Sequence, residues 1–117
     1  MNIKQKIIND IIKIVYDNTV LDLDDGTKSY NIEDLSSKNR TEVVIYARCL
    51  LIQEFILLGF SIETIARILH KTKPAIRHLV KLGSVYEKYN KLYYNNKIEI
   101  IRKCKDYIES NKEENII

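Results

Sequence analysis

The sequence predicts an all-α fold, a compact domain of about six helices that contains a helix-turn-helix. Three observations lead there. Only three Gly and one Pro occur in 117 residues, too few turn formers for a many-stranded sandwich or barrel. Isoleucine, leucine and valine recur at three- and four-residue spacing, the period of an amphipathic helix. A 45% hydrophobic content beside 30% charge supplies one core and a solvated surface, which a disordered chain does not have. The length is that of one domain. We expect it to occupy residues 1–110, with 111–117 as a frayed tail.

Each element has its own signal. Ile3, Ile7, Ile8, Ile11, Ile12 and Val15 share one face against Lys4, Lys6, Asn9, Asp10 and Lys13, which predicts a helix over 2–16. Asp24-Asp25-Gly26 is a turn signal with room for a short hairpin, and Val20, Leu21 and Leu23 should pin this loop to the core. Asn31 followed by Ile32, Glu33 and Asp34 is a capped start, with acids at the positive end of a short helix reaching about Leu35. Residues 40–58 are apolar nearly all round, the pattern of a central helix buried by its neighbours. Gly59 ends it. Ser61 caps a helix carrying Ile62, Ile65, Ile68 and Leu69, and the pattern breaks over 70–73. Another helix starts near Pro74, where the missing N–H would be unpaired anyway. After Gly83 a further helical pattern carries Val85, Tyr86, Tyr89 and Tyr93, and a last one carries Ile98, Ile101, Cys104 and Ile108.

Several classes of function fall away. The most apolar stretch, 43–60, contains Arg48, Gln53 and Glu54, and each charge at mid-bilayer costs about 2.5–3.5 kcal/mol, so no membrane partner is expected. Lysines and Asp10 interrupt the N-terminal isoleucines, unlike a signal peptide. A cytoplasmic location is expected. Cys49 and Cys104 stand far apart with no Cys or His companions, so neither a zinc site nor a disulfide framework is indicated, and Cys49 reads as a core residue. His70 and His78 lack the carboxylate or thiol neighbours that catalysis or metal binding needs. Gly26, Gly59 and Gly83 are isolated and form no phosphate-cradling loop. We expect no enzyme activity, no cofactor, no metal and no small-molecule substrate.

The net charge of +3 conceals a strong asymmetry. Residues 61–105 hold 11 Lys and Arg against 3 Asp and Glu, whereas residues 1–39 and 106–117 are each net acidic. A basic block on helices suits a polyanion, because neutralised phosphates release their counterions. Within it, residues 61–81 carry helix-turn-helix spacing: small Ala66, turn residue His70 four positions on, and apolar Ile65, Leu69, Ile76 and Leu79 for a shared seam. His70 replaces the usual glycine and must accept positive φ, which histidine tolerates better than most residues. Thr72, Lys73, Arg77, His78 and Lys81 point away from the seam. Arg77 and His78 are candidates for base edges, with arginine suited to guanine, and Lys71, Lys73 and Lys81 for phosphates.

Upstream, Ile32-Glu33-Asp34-Leu35-Ser36-Ser37-Lys38-Asn39-Arg40, with Arg48 eight residues on, resembles the entry to the C-terminal DNA-binding domain of the bacterial replication initiator DnaA. Ser61-Ile62 through Ile65 and Arg67 is similar to that domain's Ser-Leu-x-Glu-Ile-Gly-x helix. The resemblance covers about residues 30–82. It implies a Trp-repressor-like fold, a recognition helix in the major groove, and a basic loop containing Lys38 and Arg40 beside the minor groove. Where the family has Arg-Asp-His-Thr-Thr-Val, this chain has Lys71-Thr72-Lys73-Pro74-Ala75-Ile76, so the family's target sequence does not carry over.

These readings converge on sequence-specific binding of double-stranded DNA in replication initiation or transcription control, at a size that suits a phage or mobile-element protein. The alternative is a protein-interaction or assembly module that keeps the fold without binding DNA. Tyr86, Tyr89, Tyr93 and Tyr94 fit core or partner packing, including a homo-oligomer face, better than base stacking.

Overall fold

The computed structural model describes residues 3–21 and 30–113. The Asp24-Asp25-Gly26 turn, Leu23 and residues 114–117 lie outside them. The described chain is all-helical. Helix α1 (Ile3–Asn18) leads to a short 3-10 helix (Ile32–Ser36), followed by α2 (Glu42–Leu57), α3 (Ile62–Leu69), α4 (Lys73–Tyr89) and α5 (Lys91–Glu113). No described helix is long and apolar enough to cross a membrane.

The all-round apolar pattern of α2 has the expected result. Val44, Ala47, Cys49, Leu50, Leu51, Ile52 and Phe55 are all buried, and α1, α3, α4 and α5 pack around this one helix. Its end follows the Gly59 signal. Phe60 N–H donates to Phe55 O and Gly59 N–H to Ile56 O, with Gly59 at φ 92°. This is the Schellman closure that a left-handed residue permits.

Tyr46, Tyr86 and Tyr93 form a ring cluster where α2, α4 and α5 meet, with centroids 5.1–5.3 Å apart. Asn96 of α5, also buried, accepts from Val20 N–H at 3.1 Å and donates to Val20 O at 2.7 Å, tying the segment after α1 to the last helix. Leu21 packs against the core, whereas Val20 contributes backbone only and leaves its side chain exposed.

Two boundaries differ from the sequence expectation. Gly83 does not interrupt the chain, and α4 runs straight through it to Tyr89. A Cβ at Gly83 would stand 2.9 Å from Gln53 Nε2 and 3.1 Å from the Tyr93 hydroxyl, which donates to Gln53 Oε1 at 2.7 Å. The glycine is a point of close approach between helices, and tertiary packing outweighs its helix penalty of about 1 kcal/mol. Similarly, α5 continues to Glu113, past the position at which the tail was expected to begin, and Asn111 is buried. On α5 itself Ile100 and Cys104 face the core, while Ile98 is exposed.

Candidate nucleic-acid interface

Helices α3 and α4 meet along the seam that the spacing implied. Ile65, Ala66, Leu69, Ile76 and Leu79 are all buried. Ser61 caps α3 through its hydroxyl, which accepts from Thr64 N–H at 3.1 Å. At the other end His70 adopts φ 56° and ψ 44°, the left-handed conformation required of it. Lys71 N–H then donates to Ala66 O at 2.9 Å and His70 N–H to Arg67 O at 3.4 Å, a second Schellman closure. Thr72 caps α4, its hydroxyl accepting from Ala75 N–H at 3.2 Å, and Pro74 sits in the first turn. The Thr72 hydroxyl is therefore already engaged within the protein.

Beyond the turn, Lys73, Arg77, Lys81 and Lys88 are exposed. Their spacings of four, four and seven residues place them within about 80° of arc, along about 22 Å of helix. None forms an ion pair with a described carboxylate. Lys88, whose ammonium stands 5.4 Å from the Tyr89 ring centroid, joins the stripe only because α4 continues past Gly83. His78 does not join it. It lies about 100° round the helix from Arg77, on a neighbouring exposed stripe with Val85 and Tyr89, so the two candidate base readers face different directions.

The second basic element is built by a residue whose role the sequence did not reveal. Arg48, in the middle of α2, is only 3% exposed, and its guanidinium pairs with no carboxylate among the described residues. It donates from Nε to Leu35 O at 2.9 Å and from Nη2 to Asp34 O at 2.8 Å, Asn39 O at 3.0 Å and Ser37 O at 3.3 Å. These bonds wrap residues 34–39 around one planar cation, which is what a guanidinium fork does better than an ammonium. The 3-10 helix is fixed at its start by Asp34, which accepts from Asn31 N–H at 2.9 Å. Lys38 and Arg40 project from this held loop into solvent.

Lys71 joins the two elements by donating to Ser37 O. One of its three N–H donors is thus used inside the protein, which qualifies its expected role as a simple phosphate contact. Burial lowers its pKa, and so do the nearby charges of Arg48, Arg40 and Lys38. Lys38, Arg40, Arg48 and Lys71 therefore form one cationic neighbourhood. In chemical terms the surface presents two anion-seeking elements, the loop and the α4 stripe, bridged by a lysine.

The thiols take no part. Cys49 and Cys104 are buried, and burial pushes both up to about 12. Comparison with protein-family models, curated proteins and solved structures finds no match to this chain.

Proposed function

We propose that this chain binds double-stranded DNA, with α3 and α4 acting as a helix-turn-helix and the loop bearing Lys38 and Arg40 as a second contact. The observation that carries the reading is the α4 stripe of Lys73, Arg77, Lys81 and Lys88, exposed and free of described carboxylate partners. A solvated helix face commonly interleaves both signs at i,i+4, as α1 does where Lys6 pairs with Asp10 and Lys13 with Asp17; α4 leaves one sign uncompensated, which favours a polyanion. In this reading the first turns of α4 enter the major groove, where Arg77 can bond a guanine edge. Lys73, Lys81 and the loop hold phosphates, and Arg40 reaches the minor groove. A Trp-repressor-like arrangement and a role in replication initiation or transcription control follow from the resemblance to the initiator domain.

The test is selection on random duplex DNA followed by binding of the enriched site. Arg77→Ala should cost about 1–3 kcal/mol on that site and little on random duplex. Arg40→Ala should remove only a preference for flanking A·T pairs. If no site is enriched, and binding at low salt is absent, the reading fails.

One observation favours the assembly alternative. Val85 and Tyr89, 52% and 76% exposed, form an apolar stripe beside the basic one, and exposed tyrosine is typical of protein contacts. That reading expects a Tyr89→Ser variant to lose self-association or partner binding while keeping its fold.

A further inference from the structure

We infer that the cleft between α1, the 3-10 helix and α3 is a binding site for a phosphate ester. The cleft measures about 510 Å³, within the range of about 300–1,000 Å³ that small-molecule sites occupy. Ile8, Ile12 and Ile68 supply its apolar wall, and Lys4, Arg67 and His70 its charged or chargeable groups. Among the described residues no carboxylate lines it.

The positive charge is uncompensated for identifiable reasons. The other two lysines of described α1 have acids four residues on, but the residue four after Lys4 is Ile8. Glu63 stands one turn before Arg67 on α3, yet no ion pair joins them. Asp10 is engaged away from the cleft by Lys6 at 2.8 Å and the Tyr107 hydroxyl at 2.6 Å. Neither Lys4, Arg67 nor the His70 ring makes a hydrogen bond or ion pair with a described residue.

Lys4 on α1, Arg67 on α3 and His70 in the turn after α3 line this one cleft together. That arrangement suits the several oxygens of a phosphate better than the two of a carboxylate, and the guanidinium of Arg67 matches a phosphate edge bidentately. The isoleucines offer a surface to the sugar or base of the ester. Ser36 and His70 line the cleft and directly precede Ser37 and Lys71, the pair that bridges the loop to the turn before α4. The same chemistry thus has two sources: a free nucleotide, or a backbone phosphate of a duplex seated on α4. Only the second rests on the proposed DNA binding.

Amide NMR titration of the full chain with dAMP, set against sodium chloride at matched ionic strength, tests the first source. Saturable shifts are expected at residues 4, 36, 67 and 70. Lys4→Ala and Arg67→Ala, both at exposed positions, should each weaken dAMP about five-fold, the loss of one charge-assisted contact. Duplex anisotropy across a salt series tests the second source, where each substitution should reduce the slope by about 1. Shifts that chloride reproduces, together with an unchanged duplex slope, would overturn the inference. If Arg77→Ala still weakens duplex binding under those conditions, the function assigned to α4 survives that failure.

Discussion

The guanidinium of Arg48 and the ammonium of Lys71 share one acceptor, the backbone carbonyl of Ser37. Two cations, one from α2 and one from the turn between α3 and α4, thus converge on the loop that carries Lys38 and Arg40. The arrangement couples the turn before α4 to the loop's position, so a change at either cation should be felt at both proposed contacts.

Arg48→Met removes the four hydrogen bonds to the carbonyls of Asp34, Leu35, Ser37 and Asn39. The expected loss is about 2–4 kcal/mol in urea unfolding. Arg48→Lys keeps the charge but not the fork, and it should recover less than half of that loss. Full recovery by lysine would show that charge, not planar geometry, holds the loop.

Glu54 provides the pH dependence. It is 4% exposed, its Oε1 has no described hydrogen-bond partner, and burial raises its pKa to about 7 despite the opposing pull of Cys104 and Lys97. The native state binds this proton more tightly than the unfolded chain. The group's contribution to stability is therefore complete below its unfolded value of 4.5 and is lost as pH rises through 7. Glu54→Gln should be more stable than the parent at pH 8, by on the order of 2 kcal/mol, with a flatter stability profile between about pH 5 and 8. Unfolding midpoints measured across that range check the sign.

Gly83→Ala sets a helix-propensity gain of about 1 kcal/mol against a clash with the Gln53–Tyr93 pair. Tyr93 is fully buried and holds Gln53 in place, so the clash should win. We expect a net loss of about 1 kcal/mol. Measured against Gln53→Ala alone, the same glycine substitution should cost less, because the Gln53 atoms at 2.9 and 3.3 Å are then gone and only the Tyr93 hydroxyl at 3.1 Å remains in the way.

His70→Gly relieves the left-handed backbone at the α3–α4 turn and should raise stability by about 0.5–1 kcal/mol. His70→Val, which brings a branched Cβ to the same conformation, should lower it. Thermal midpoints of the pair give the comparison.

Much of this fold was legible where local pattern and tertiary need agree. The all-round apolar run of α2, the Gly59 stop, the Ser61 cap and the strained His70 could each be read from neighbouring residues. Gly83 could not, because its reason is the Gln53–Tyr93 pair, brought beside it by two other helices. Arg48 entered the sequence reading as a charge in an apolar stretch and as a landmark of resemblance. Its four acceptors are backbone carbonyls, identical in every residue, so no sequence pattern advertises them. Lys88 was hidden by the supposed break at Gly83; continuing the helix by seven residues from Lys81 would have found it. Lys4 and Arg67 lie far apart in sequence, and only the packing of α1 and α3 on the shared 3-10 helix and α2 makes one cleft of them.

The unbroken course of α4 has a mechanical consequence for any groove it enters. An unbroken helical rod of 17 residues is about 25 Å long, whereas the major groove is about 12 Å wide and winds round its axis. The rod can follow such a channel only over its first turns before the walls curve away from it. Under the proposed docking its far end, anchored through Tyr86 and Gly83 against α2 and α5, would leave the groove as a stiff handle, with Lys88 near the groove's outer edge. Tilting the recognition end must swing the body of the protein with it. The docking angle would therefore be fixed as much by the Gly83 junction as by any side chain that touches a base.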